Sequence, residues 1–409
     1  MIWLEIAWRN VLRNWRRSLF TISIAAVGTI AVLLAVGYML SAFEAVREST
    51  IRGGLGHLQI AHAEEFGGYS EYPLQHGLPP NTVAAIREAI GKAEPYAMVM
   101  PRLEFQGVAS NGERSLIFLG EGVEPLEERR LSQYYAQVID GQGLERTGDK
   151  PFRAVIGHDL ARLLGLKVGD SLALMSPTAT SGLNAIDVEV VGLLKTGVPQ
   201  VDRTRVLVPL ELAQKLIRTG KINRLVLGLD DTGQTDAVQA RLAPVAKRLG
   251  IESRTWTELA VFYHQLVDLY LRQFSVLGAI IAVVVALTFS NAVLMSVLER
   301  SREIGTLVSL GIGRAQIRRQ FVLEGLLLGL GGGTLAALLS WLLMLGLNAL
   351  AIQMPPPPGQ TEGYPLFFLF SLPAALAAVA GVSVLGTLSA FFASRRVTRL
   401  DPIKALHYA

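Results

Sequence analysis

Cysteine is absent from all 409 residues. That excludes disulfides, thiolate metal sites and cysteine nucleophiles, so any domain outside the cytoplasm must hold by packing alone. The phosphate-cradling loop G-x-x-x-x-G-K-[S/T] is also missing, because Gly220-Lys221 is followed by Ile222 and Gly91-Lys92 by Ala93. The chain is therefore not expected to hydrolyse ATP itself. Ser171, Asp159 and His158 lack the G-x-S-x-G turn that exposes a hydrolase serine. His57, His62, Glu64, Glu65 and His76 follow no H-E-x-x-H spacing, so no metal site is expected.

Charge is scarce over long stretches. Leu19–Phe43, Phe274–Leu298, Phe321–Ile352 and Pro365–Ala393 are almost free of it, and each reaches the roughly 20 residues that a membrane-crossing helix needs. Residues 44–265 have the mixed polarity of a soluble domain. The fold class expected is a membrane protein of four transmembrane α-helices, with a large α/β domain inserted between helices 1 and 2.

The net charge of +4 does not point to nucleic acid, since the arginines flank the apolar stretches. Arg9, Arg13, Arg16 and Arg17 precede the first; Arg300, Arg302, Arg314, Arg318 and Arg319 separate the second and third; Arg395, Arg396, Arg399 and Lys404 follow the fourth. The short segment Met354–Tyr364 has no Lys or Arg. The positive-inside rule then places both termini in the cytoplasm and the large domain outside, periplasmic in a bacterial inner membrane. Trp3, Leu4, Ala7, Trp8, Val11, Leu12 and Trp15 fall at helical spacing, which predicts an amphipathic helix on membrane lipid. Span 1 exceeds the length of a signal-peptide core and is read as an anchor.

Short strand candidates such as His57–His62, Val99–Ala109, Ser171–Met175 and Val188–Leu194 alternate with helical stretches such as Asn81–Lys92 and Thr235–Leu249. They predict a two-lobed α/β domain. From Trp256 to Leu298 there is no proline and only Gly278, so one unbroken helix is expected to serve as a stalk and run into span 2. The predicted organisation is an amphipathic helix at 1–17, helix 1 with its stalk at 18–52, the α/β domain at 53–255, and stalk plus helix 2 at 256–298. A coupling loop at 299–320, helix 3 at 321–353, a Pro-rich loop at 354–364 that caps helices 3 and 4, helix 4 at 365–394 and a tail at 395–409 complete it.

Between spans 2 and 3, Ile304, Leu307, Val308 and Gly311 share one helical face fringed by Arg300, Arg302 and Glu303. Such an apolar ridge suits a groove on a partner. The run Glu299-Arg300-Ser301-Arg302-Glu303-Ile304-Gly305-Thr306-Leu307, ending at Gly311 and Arg314, resembles the coupling region of MacB/FtsX-type ABC permeases. That family includes the lipoprotein-releasing LolC and LolE subunits, and an acidic residue, here Glu324, opens its next span. Ser394-Arg395-Arg396 through Arg399, Asp401 and Pro402 resembles the family's C-terminal motif, and Ala7-Trp8-Arg9-Asn10 its N-terminal one. Gly56-His57-Leu58-Gln59-Ile60 resembles the G-H-x-Q-I of the lipoprotein-releasing branch.

The resemblance implies a mechanical transmitter rather than a pore. It implies two copies of an ABC ATPase that bind ATP and Mg, and a second permease copy, either identical or related. No cofactor is expected on this chain. A periplasmic lipoprotein carrier or adaptor is a further implied partner, with Met175–Asp187 as the place matching the family's carrier-recruiting hairpin. Cargo would be lipoprotein-like or amphipathic, with Val36, Leu40, Phe43, Val267, Leu271 and Phe274 chosen by position to line an apolar cavity for acyl chains. Export of small amphiphiles or peptides through an outer-membrane duct, and FtsX-like activation of a cell-wall hydrolase, remain open beside it.

Overall fold

The computed structural model describes residues 2–67, 74–94, 97–132, 137–146, 152–299, 306, 312–355, 361 and 363–397. It divides into two compact units. The first comprises Met1–Glu44, Leu266–Met354 and Pro365–Ala409; the second, Ala45–Gln265 and Pro355–Tyr364.

The chain opens with α1 (Ile2–Arg13) and the long α2 (Trp15–Thr50). The break between them falls at Asn14, so the surface helix ends earlier than residue 17. A π-helical turn at Ile51–Leu55 follows, in which Gly54 adopts φ +125°. A side chain there would be strained, and its Cβ would lie 3.1 Å from an Arg102 Nη atom.

The second unit then follows as β1 (Leu58–Ala61), α3 (Pro80–Ala93), β2 (Met98–Ser110), β3 (Ser115–Val123), α4 (Pro125–Ser132) and β4 (Gln137–Gly141). Next come β5 (Arg153–Gly157), α5 (His158–Leu164), β6 (Ser171–Pro177), β7 (Leu183–Lys195), α6 (Pro199–Asp202) and β8 (Arg205–Pro209). The unit's last elements are α7 (Leu210–Ile217), β9 (Arg224–Gly228), α8 (Thr235–Leu249), β10 (Glu252–Thr255) and α9 (Trp256–Leu259).

Two lobes share the long strand β2. Its first half, Met98–Arg102, pairs with β9 and extends the order β10-β1-β9, whose core under α3 and α8 includes Leu58, Ile86, Ile90, Leu225, Leu227, Val238 and Leu242. Its second half pairs with both β3 and β6. Because β3 pairs β8, β8 pairs β5, β5 pairs β7 and β7 pairs β6, this half closes into a barrel. Closure removes the exposed edges that an open sheet would present. Alternate residues point inward, and Ala109, Phe118, Leu172, Leu174, Val188, Val190, Val206 and Val208 fill the interior, capped by Leu160 and Leu164 of α5 and Leu212 and Leu216 of α7.

Thr255 starts α9 with a capping box: its hydroxyl accepts from the Glu258 N–H and the Glu258 carboxylate accepts from the Thr255 N–H at 2.7 Å. The expected single stalk helix is not continuous. Ala260, at φ −84° and ψ 62°, separates α9 from α10 (Val261–Glu299). At this break Ala260 and Trp256 pack on Ile51, so buried side chains override a sequence that contains no helix breaker.

The first unit resumes with α10, α11 (Arg314–Ala349) and α12 (Leu372–Val397). Together with α2 these give, among the described residues, four helices long and apolar enough to cross a membrane. Helix 3 begins at Arg314, earlier than residue 321, with Gly313 as its N-cap. Helix 4 begins at Leu372 rather than at residue 365. Over 366–371 the backbone takes its hydrogen bonds elsewhere: Asn348 Nδ2 donates to the Phe368 carbonyl and its Oδ1 accepts the Phe368 N–H, both at 2.9 Å, while the Leu369 N–H donates to the Gly37 carbonyl.

Glycines at every fourth position of α11 allow close packing. A Cβ on Gly325 would meet the Gly386 carbonyl oxygen at 2.5 Å, one on Gly329 the Ser383 Cα at 2.7 Å, and one on Gly333 the Val379 Cα at 2.8 Å. Gly331 and Gly332 instead face Ile22 and Ala25 of α2. Helix 3 is thus a backbone-to-backbone packing element in the manner of small-residue membrane interfaces.

The Pro-rich loop was expected to cap helices 3 and 4. Its residue Thr361 donates its N–H to the Gly197 carbonyl of the α/β unit at 2.8 Å. The polyproline stretch itself lies outside the described residues.

Candidate functional site

The segment expected to couple to an ATPase starts where α10 ends, at Glu299. Glu299, exposed, accepts from Arg17 Nη1 at 2.6 Å, and Arg17 Nη2 also donates to the Ala292 carbonyl. Of the other predicted coupling residues, Arg300, Arg302, Glu303, Ile304, Gly305, Leu307, Val308 and Gly311 lie outside the described residues, as does the side chain of Arg314. Beyond them Ile312 packs on Val293, Ile317, Phe321, Ala390 and Ala393, which anchors the exit of the segment to α10, α11 and α12. In the tail, Arg395 falls in the last turns of α12, while Arg399, Asp401 and Pro402 lie outside the described residues, as does the side chain of Arg396.

Glu324 sits one turn and a half beyond Arg318-Arg319 and is buried. Its carboxylate accepts from Asn10 Nδ2 at 2.9 Å. Asn10, Asn14, Arg17, Ser18, Thr21 and Glu324 line a cavity of about 30 Å³, room for one water. The N-terminal Ala7-Trp8-Arg9-Asn10 motif and the acid of span 3 are therefore one site. Ala7 is fully buried, while Leu4, Trp8 and Leu12 are exposed on the same helix and Trp15 is exposed at the start of α2. The periodicity predicted an amphipathic helix, but not which residues turn inward.

Around the proposed acyl cavity, Phe43 and Phe274 flank Tyr270, with ring centroids 6.0 Å and 6.1 Å away. Tyr270 is the residue that position-based reasoning missed, although its spacing of four from Phe274 was readable. Val36, Leu40 and Val267 are half-buried and Leu271 is exposed. A second apolar groove, of about 370 Å³ and lined by Thr334, Leu338, Trp341, Phe370, Leu376 and Val379, was not anticipated.

In the α/β unit the G-H-x-Q-I motif has a structural explanation. A Cβ on Gly56 (φ +67°) would collide with Val226. Gln59 donates to the Leu55 carbonyl and accepts from Arg224. His57 Nδ1 accepts the Leu229 N–H at 3.0 Å, which leaves Nε2–H to donate to Thr232 Oγ1 at 3.0 Å.

Burial, with Arg52 and Arg47 adding to it, pushes the His57 pKa down to about 4 from 6.5. Between those values the unfolded chain binds more protons than the folded one, so this contribution to stability is full above pH 6.5 and is lost as pH falls towards 4. Unfolding midpoints measured across this range should drop on acidification, and His57→Asn, which keeps an acceptor for Leu229, should flatten the slope.

Met175–Asp187, matched by position to a recruiting hairpin, is a tight hairpin: β6 and β7 pair from Ser171↔Glu189 through to Pro177↔Leu183 and turn over Thr178–Gly182. It is part of the barrel wall.

Four described helices able to cross a membrane, with a barrel-containing α/β unit, mark a membrane protein with a periplasmic-type domain. The FtsX-like permease C-terminal model matches residues 275–402, and the MacB-like periplasmic core domain model matches residues 18–245. The chain belongs to the MacB/FtsX-type family of ABC transporter permeases.

It is 27% identical over 312 residues to the lipoprotein-releasing system transmembrane protein LolC of Neisseria meningitidis serogroup B, covering 70% of this chain and 72% of that protein. An uncharacterized ABC transporter permease of Methanocaldococcus jannaschii is 25% identical across 98% of this chain and 97% of its own length. The macrolide export ATP-binding/permease protein MacB of Shewanella sp. (strain W3-18-1) is 33% identical over 132 residues, 32% of this chain and 18% of that protein. The extracellular domain of the transporter YknZ superimposes with a TM-score of 0.35 at 13% identity, covering 48% of this chain and 98% of that one.

Proposed function

We propose that this permease works as a mechanical transmitter, moving lipoprotein-like or other amphipathic cargo out of the outer leaflet of a bacterial inner membrane with ATP hydrolysed by a separate subunit. The observation that carries this reading is the similarity to LolC, which covers 70% of this chain and 72% of that protein. The G-H-L-Q-I motif and the aromatic cluster of Phe43, Tyr270 and Phe274 support it. Two permease copies and two ATPase copies would form the working unit. The similarity of a shorter stretch to MacB favours, as a second reading, an exporter of small amphiphiles.

A photoreactive residue at Phe43 should capture an acylated protein in native membranes under the first reading, and only small molecules under the second. The orientation is tested through the cysteine-free background. A Glu113→Cys variant, in the exposed β2–β3 turn, should react with an impermeant maleimide on intact spheroplasts. A Glu299→Cys variant should react only after lysis. The reverse pattern would invert the topology.

A further inference from the structure

Outside the barrel, the α/β unit contains a cavity of about 500 Å³. Its floor is apolar: Val123, Leu144, Val155, Leu194 and Leu207 form one buried cluster. A volume of this size with an apolar floor under a charged and polar rim can take a small molecule with one apolar and one polar end.

The polar groups at its rim are unequally occupied. Glu128 is tied to Arg102 at 2.6 Å, and Arg129 to Glu145 at 2.8 Å. Arg205 is different. Its side chain is only 10% exposed, one Nη2 bond reaches Glu121 at a long 3.2 Å, and among the described residues its Nε has no partner. Glu121 is shared, since it also accepts from Arg102 at 2.5 Å. A guanidinium carries five N–H donors and no acceptor, so the capacity left on Arg205 is donor capacity. A ligand that completes the site must bring acceptor oxygens at one end and an apolar body at the other.

We infer that this cavity binds an amphipathic organic acid, its carboxylate or phosphate oxygens on Arg205 and its apolar body against Val123, Val155, Leu194 and Leu207. Planar guanidinium recognition of such oxygens is charge-assisted and geometrically specific. The site lies within the α/β unit and needs neither the ATPase nor the acyl cavity of the membrane unit, so it stands or falls separately from the transport reading.

The test is calorimetric titration of hexyl phosphate into the full-length protein in nanodiscs, with empty nanodiscs as blank. The wild type should bind it at least tenfold more tightly than inorganic phosphate or hexylamine. Arg205→Gln should weaken binding tenfold or more. Because that change also disturbs Glu121, the deciding variant is Val138→Trp. Val138 lines the cavity from β4 and is 38% exposed, so a larger side chain fills the space and leaves Arg205 alone.

Competition with dihexanoyl phosphatidic acid separates the two sources of such a head group. Displacement means a lipid head is accepted, and its failure means a free amphiphile is required. Absence of hexyl phosphate binding to the wild type, or equal binding to Val138→Trp, overturns the inference.

Discussion

Replacing Arg102 by methionine is expected to destabilise the α/β unit by about 3–5 kcal/mol, the usual cost of stranding buried charge. Arg102 holds Glu121 at 2.5 Å and Glu128 at 2.6 Å from a side chain that is 4% exposed. Burial alone would lower the guanidinium pKa, but Glu128, Glu121 and Glu104 outweigh it and hold it above its ordinary value. Burial likewise would raise Glu121, yet Arg205 and Arg102 hold it below the usual carboxylate range. Its contribution is therefore present above the ordinary carboxylate pKa and lost as pH falls below it.

Against a typical domain stability of about 5–15 kcal/mol, the loss should be visible as a much lower urea midpoint in pulse proteolysis of the intact protein. The double variant Arg102→Met, Glu128→Gln removes the stranded charge, leaves Glu121 paired with Arg205, and should recover most of the midpoint. If the single variant unfolds with the wild type, the network is not a stabilising element.

Gly329→Leu should be nearly as damaging, in the membrane unit. The new Cβ would sit 2.7 Å from the Ser383 Cα and 2.9 Å from the Val382 carbonyl oxygen, atoms of a helix backbone that cannot rotate aside. Overpacking costs about 1–3 kcal/mol where side chains can adjust, and more where α11 and α12 must separate. Gly346 and Gly381 provide controls within the same helices, since a Cβ there meets nothing within 4 Å. Thermal unfolding in nanodiscs should fall sharply for Gly329→Leu and hardly at all for Gly346→Leu. Equal effects would mean that helix propensity rather than close packing is being measured.

The two kinds of site differed in how far the sequence disclosed them. Charge-free length located all four apolar helices, because crossing a membrane demands little more than length and apolarity. It misplaced the start of α12, since hydropathy does not register that Asn348 and Gly37 serve the backbone at Phe368 and Leu369. The strands were readable one by one, but the barrel depends on β6 meeting β2 some 70 residues away, as in Ser176 bonding the Gln106 carbonyl. No local pattern encodes that pairing. Glu324 stood out as an acid in an apolar span, whereas its partner Asn10 lies 314 residues earlier and could be joined to it only in three dimensions.

The proposed transmitter would seat its ATPase on Glu299–Gly311, which co-purification tests most directly. Tagged protein extracted in mild detergent, with and without crosslinking, should retain an ABC ATPase identified by mass spectrometry. The double variant Ile304→Asp, Leu307→Asp should lose it while its α/β unit stays folded. An ATPase retained equally by the variant would move the coupling site elsewhere, and none in either sample would contradict the transmitter itself.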